Sequence, residues 1–132
     1  MKENWKFSEL EYVRPDFEKV KDNIKASIEK MKAAESFTEA LSIYTESEKE
    51  INELMMMYTI VYIRNTVDTS DNFYEEERKV FDAEFPTFGP LSVASGEAIN
   101  ESKFRNDFET KFGKQFFASI ELTKKSFSEK NI

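Results

Sequence analysis

With 132 residues, a hydrophobic content of 39% and 13 Phe, the chain is too apolar for a disordered polymer and long enough to bury a core, despite 34% charged residues. Three Gly and three Pro supply too few turns for an all-β domain, so the composition implies long helices. The net charge of −7, with basic residues interleaved among acids, argues against a nucleic-acid partner, which needs a cation-rich surface.

The chain opens on a mixed, extended lead-in to about Arg14, with Trp5, Phe7, Leu10 and Tyr12 as docking side chains. Pro15 suits the first turn of a helix, and Asp16 and Glu18 place negative charge where the helix dipole favours it. Phe17, Val20, Ile24, Ile28 and Met31 recur at steps of three and four, which predicts a helix over about Pro15–Ala34. Ser36-Phe37-Thr38-Glu39 is a capping-box pattern and opens a long second helix. Leu41, Tyr44, Ile51, Leu54 or Met55, Tyr58 and Val61 or Tyr62 form its expected inward face. The run LMMMYTIVYI is apolar nearly all round, which predicts burial from several sides, whereas the charged stretch Glu46–Glu53 reads as exposed.

Thr69-Ser70-Asp71-Asn72 gathers turn and cap formers, and Asn72 with Glu75 offers a second capping box. The third helix carries the stripe Phe73, Glu77, Val80, Phe81 and Phe85, whose single acid reads either as a buried partner or as solvated. Pro86 and Gly89-Pro90 kink or break this helix, and helical pattern resumes over Leu91–Asn100. Phe104, Phe108 and Phe112 follow at spacing four, closed by Gly113 in a C-cap position, and Phe116, Phe117, Ile120, Leu122 and Phe127 continue the apolar content. The expected fold is all-α: a single domain over residues 1–132, an antiparallel bundle of about four to five helices, the third kinked or broken near Pro86–Pro90.

Candidate sites are sparse. Asp68, Asp71 and Glu75 to Glu77 lack the spacing and the central Gly of a calcium loop, so capping is the preferred reading. Met55-Met56-Met57 reads as core ahead of an adaptable binding surface. Arg64 is placed to pair with Asp68 one helical turn on. There is no phosphate loop, no nucleophile with a His partner, and neither His nor Cys for a zinc site. The expected catalytic, cofactor-binding and metal residues of this chain are therefore none. No run approaches the ~20 apolar residues of a membrane span, and MKENWKFSELEY lacks the apolar core of a signal peptide. With no Cys for disulfides, the expected location is cytoplasmic.

Several segments, in order, carry a family resemblance. Phe7-Ser8-Glu9-Leu10-Glu11-Tyr12 with Arg14-Pro15-Asp16 comes first, then Ala33-Ala34-Glu35-Ser36 with Ala40-Leu41 and Tyr44. Ile63-Arg64-Asn65-Thr66-Val67-Asp68-Thr69-Ser70-Asp71, with Phe73-Tyr74 and Glu77, is the most specific. Phe81-Asp82 with Phe85-Pro86, Lys103-Phe104-Arg105 and Lys111-Phe112-Gly113 follow. Over about Lys6–Phe127 the chain resembles the amino-terminal region of the oligoendopeptidase F family, zinc metallopeptidases related to thimet oligopeptidase. The resemblance implies a helical domain that helps enclose an oligopeptide channel. It also implies a missing catalytic domain that binds zinc through a His-Glu-x-x-His helix, none of whose residues has a counterpart here. Alone, the chain is expected to be inactive, to hold no cofactor, to meet oligopeptide substrate only in the full-length context, and to form a homo-oligomer through apolar surface. It reads as a truncated piece of a longer protein. The alternative is a stand-alone helical module that binds a partner helix or peptide.

Overall fold

A computed structural model of the chain describes residues 10–67 and 72–130, with side chains through residue 126. Its elements are α1 (Phe17–Ala33), α2 (Phe37–Val67), α3 (Asn72–Glu84), a 3-10 turn (Phe85–Phe88), α4 (Gly89–Asn100), α5 (Arg105–Phe112) and α6 (Lys114–Lys130). Among the described residues there is no strand. Taking Asn72–Asn100 as one bent helix gives five helices, the all-α bundle that composition and periodicity predict.

The stripe of α1 is buried throughout, at Phe17, Val20, Ile24, Ile28 and Met31. Each such side chain contributes roughly 1.5–3 kcal/mol when fully removed from water. The helix starts two residues later than its proline suggests. Asp16 is the N-cap, with its carboxylate accepting from the Lys19 backbone N–H at 3.1 Å. A side-chain acceptor satisfies an otherwise orphaned donor, whereas proline only avoids having one, so Asp16 sets the boundary and Pro15 falls outside it.

Ser36 caps α2 by accepting from the Glu39 N–H at 3.1 Å, while Glu39 reaches back to the N–H of Glu35 at 3.3 Å, one residue beyond the expected reciprocal partner. The 31 residues of α2 pack against α1 on one side and α3 on the other. Leu54, Ile60 and Val61 are buried, but Met55, Met56, Tyr62 and Ile63 are exposed. Burial from several sides, as the apolar run suggests, does not occur among the described residues.

Asn72 is the first helical residue of α3 rather than a residue preceding it. The cap position itself, with Asp68 to Asp71, lies outside the described residues, as do Trp5 and Phe7. The bend after α3 follows from where its prolines sit. Pro86 occupies the first turn of the 3-10 segment and Pro90 the first turn of α4, so neither removes an interior helical hydrogen bond. Lys21 fastens α1 to the bend, bridging Glu84 at 3.0 Å and lying 5.4 Å from the Phe88 ring centroid.

Helix α4 packs between α1 and α6. Gly96 permits the second contact, because a Cβ there would meet Ile120 Cγ2 at 2.9 Å. Between α5 and α6, Gly113 adopts φ 90°, ψ 171° and its N–H bonds Glu109 O at 2.7 Å. Only glycine enters that region freely. Gly113→Ala is expected to cost about 1–2 kcal/mol in a denaturant titration. Nothing lies within 4 Å of the added Cβ, so backbone strain is the sole cause, and an unchanged midpoint would show that the turn relaxes instead.

Candidate functional site

The lead-in meets the start of α3 at one buried carboxylate. Glu77 stands on the inward stripe of α3, with Phe81 one turn further on, and is 4% exposed. An ionised carboxylate in that position needs partners to replace lost water. Tyr12 donates its hydroxyl proton to Oε1 at 2.7 Å, and Arg14 donates from Nε to Oε1 at 2.9 Å and from Nη2 to Oε2. The stripe's acid is thus a buried partner, the first of the two readings left open by the sequence.

A second cation closes the same junction. Arg64, near the end of α2, donates to the Tyr74 hydroxyl at 2.9 Å and to the Leu10 carbonyl oxygen, with its guanidinium carbon 5.6 Å from the Tyr74 ring centroid. Its expected partner, Asp68, lies outside the described residues. Tyr12 packs edge-on against both Tyr74 at 5.9 Å and Phe73 at 6.2 Å. Two segments far apart in sequence and both prominent in the family resemblance therefore meet in space, Tyr12 and Arg14 from one and Arg64, Phe73, Tyr74 and Glu77 from the other. Their contact straps the chain's lead-in across α2 and α3.

Electrostatics makes this contact a latch rather than a proton-transfer pair. The hydrogen bond from Arg14, helped by that from Tyr12, holds the Glu77 carboxyl below its usual range against the opposing effect of burial. Burial, then the hydrogen bond to Glu77, pushes the Tyr12 phenol well above its usual range. At neutral pH Glu77 is ionised and saturated with donors, and Tyr12 keeps its proton. Neither is poised near neutrality, as a general acid or base needs to be.

Next to the latch, an open groove of about 850 Å³ runs between the start of α1 and the middle of α2. Val13, Val20, Leu54 and Met57 give it apolar lining, while Lys19, Lys49, Glu46 and Glu53 line it with mixed charge. Of the methionine triplet, Met57 turns inward and its sulfur accepts from the Val13 N–H at 3.5 Å. Met55 and Met56 face out, so the core reading of the triplet holds for one residue in three.

The profile of the Peptidase M3 N-terminal domain matches residues 7–127. The chain belongs to that family. Among solved structures, this M3 domain is similar to PZ peptidase A with inhibitor 2, at 36% identity and a TM-score of 0.84, over 89% of this chain and 21% of that one. It is also similar to a protein from Bacillus anthracis str. Ames assigned as oligoendopeptidase F, at 32% identity and a TM-score of 0.84, over 88% of this chain and 21% of the other. A further structure assigned as oligoendopeptidase F gives 33% identity and a TM-score of 0.76, over 89% and 21%. No curated protein matches. The M3 domain thus spans about one fifth of the length of the solved relatives it matches, and the resemblance to the amino-terminal region of oligoendopeptidase F is established.

The described residues of this M3 domain offer no donor set that fits a catalytic zinc. The sequence has no histidine or cysteine, and among the described residues no three acids gather closely enough to hold a metal ion. Glu77, the acid of the Glu75–Glu77 group that turns inward, is already committed to Tyr12 and Arg14. No described helix is long and apolar enough to cross a membrane. The latch itself was not foreseen. Its one signal in the sequence was an acid on an otherwise apolar stripe.

Proposed function

We propose that this chain is the amino-terminal, non-catalytic helical domain of a longer, cytoplasmic oligoendopeptidase F-like zinc peptidase. In that protein it helps enclose the channel that admits oligopeptide substrates, and alone it cleaves nothing. One observation carries the reading: relatives at 32–36% identity match 88–89% of this chain but only 21% of their own length. The zinc ligands then belong to polypeptide outside this chain, in keeping with a donor set here that cannot supply them. The contribution of the 132 residues is steric. Helices α1 and α2, joined by a capped turn and strapped to α3 by the Glu77 latch, form a rigid wall that narrows access to a reaction centre elsewhere.

The test compares this chain with the full gene product for zinc content and for cleavage of a fluorogenic oligopeptide. The full product is expected to bind about one zinc and to cleave the peptide, while the 132-residue chain does neither. Cleavage by this chain alone would overturn its non-catalytic role. A gene product no longer than this chain would overturn the wall reading and leave the helical interaction module in its place.

A further inference from the structure

The outer face of the second half of α2 is uncharged in a chain that is otherwise one-third charged. Met55, Met56, Ile63 and Val67 are exposed there, Met56 at 49% and Val67 at 80%, while Tyr62 at the edge is overlaid by the Arg78 guanidinium, 4.8 Å from its ring centroid. Spacings of four, seven and eleven among them place them on one side of the helix. Thr59 and Thr66 lie between them, and both hydroxyls bond back into the helix, to Met55 O at 2.9 Å and Tyr62 O at 2.8 Å. With each hydroxyl donor satisfied internally, these threonines demand less water than free hydroxyls would. By contrast, the exposed side of α1 carries Glu18, Lys19, Asp22, Lys25 and Glu29.

We infer that this stripe is a docking surface, and that its occupant is an apolar face of the polypeptide that lies beyond these 132 residues in the full peptidase. The inference rests on the proposal that the chain is part of a longer protein. Size favours a covalently linked occupant over a second copy. From Met55 to Val67 the stripe is about 18 Å long at 1.5 Å per residue, and one helix is roughly 10 Å wide. That is on the order of 200 Å² of flat contact, against the ~800 Å² per partner of a stable bimolecular interface. A segment of the same polypeptide arrives at high effective concentration and needs far less area. Two adjacent methionines suit such a contact, because flexible thioethers fit an irregular apolar partner and pack well on aromatic rings.

Methionine oxidation reads the face directly. In the 132-residue chain, dilute peroxide followed by peptide mass spectrometry is expected to oxidise Met55 and Met56 about tenfold faster than Met31, which is 6% exposed. In the full gene product, Met55 and Met56 are expected to slow to the rate of Met31 at any protein concentration. If the full product binds zinc and cleaves peptide while Met55 and Met56 stay fast, the docking inference falls and the proposed function stands. Protection that appears only as concentration rises, in either protein, assigns the face to a second copy and also overturns the inference. Met56→Glu and Val67→Lys, at the well-exposed positions of the stripe, give an independent reading. Each should leave the melting temperature of the 132-residue chain unchanged and lower that of the full product, and equal melting of the variant and parent full products would count against docking.

Discussion

Glu77→Ala is expected to destabilise the fold by about 2–3 kcal/mol at pH 7, below the ~3–5 kcal/mol for breaking a fully buried ion pair. The discount has a structural cause. Glu77 is nearly inaccessible, but the Arg14 side chain is half exposed and regains water once its partner is gone. The Tyr12 hydroxyl, packed under Phe73 and Tyr74, regains less. Urea titration of the two proteins measures the difference, and a loss under about 0.5 kcal/mol would mean that the lead-in holds without its latch. The pH dependence tests the same contact without deleting atoms. Because the folded-state value of Glu77 is depressed, its stabilisation is fully present above the unfolded value of about 4.3 and is lost as pH falls through the folded one. Wild type should therefore lose more stability than Glu77→Gln as pH falls below about 4.3. Parallel acid limbs would show that other groups set acid stability.

The latch also marks where reading the sequence stops. Periodicity found α1, because five apolar residues on one face leave a single way to bury them. It misjudged α2 for a related reason: an apolar residue predicts burial only if a neighbour covers that side, and neighbours are placed by the whole fold. Helices α1 and α3 cover two sides of α2 and leave Met55, Met56, Tyr62 and Ile63 facing outward. Contacts within a helical turn were legible, as with Ser36 and Glu39. The partners of Glu77 stand 63 and 65 residues away in sequence, and no local pattern links them. What the sequence did show was that the acid interrupts an apolar stripe, and a charge placed there asks for a distant partner. Arg64 adds a second case. The acid one turn away, Asp68, lies outside the described residues, and beyond that local pattern the fold brings the distant Leu10 carbonyl and the Tyr74 hydroxyl within reach of its guanidinium.

Phe108→Ala is expected to be more damaging than the latch variant, at about 3–5 kcal/mol. Phe108 is fully buried where the start of α2 meets α5 and α6. Its ring meets Phe37 at 5.1 Å and Tyr44 at 6.0 Å edge-on, and stacks with Phe112 and Phe116 at 6.3 Å. Truncation to Ala removes the apolar transfer energy and leaves a cavity ringed by aromatics, which are too rigid to collapse into it. Phe112 is a matched control: it belongs to the same cluster and the same helix but is partly exposed, so Phe112→Ala should cost clearly less. The pair also asks whether the carboxy-terminal helices fold with the rest. Tyr44 lies on α2 and touches the Phe108, Phe112 and Phe116 rings, so α5 and α6 are coupled through it to the α1–α2 hairpin. One cooperative transition, shifted to lower denaturant by Phe108→Ala, is the expected result. Two separate transitions in that variant, with the first removing only α5 and α6, would show that the aromatic cluster is an independent patch rather than an extension of the core.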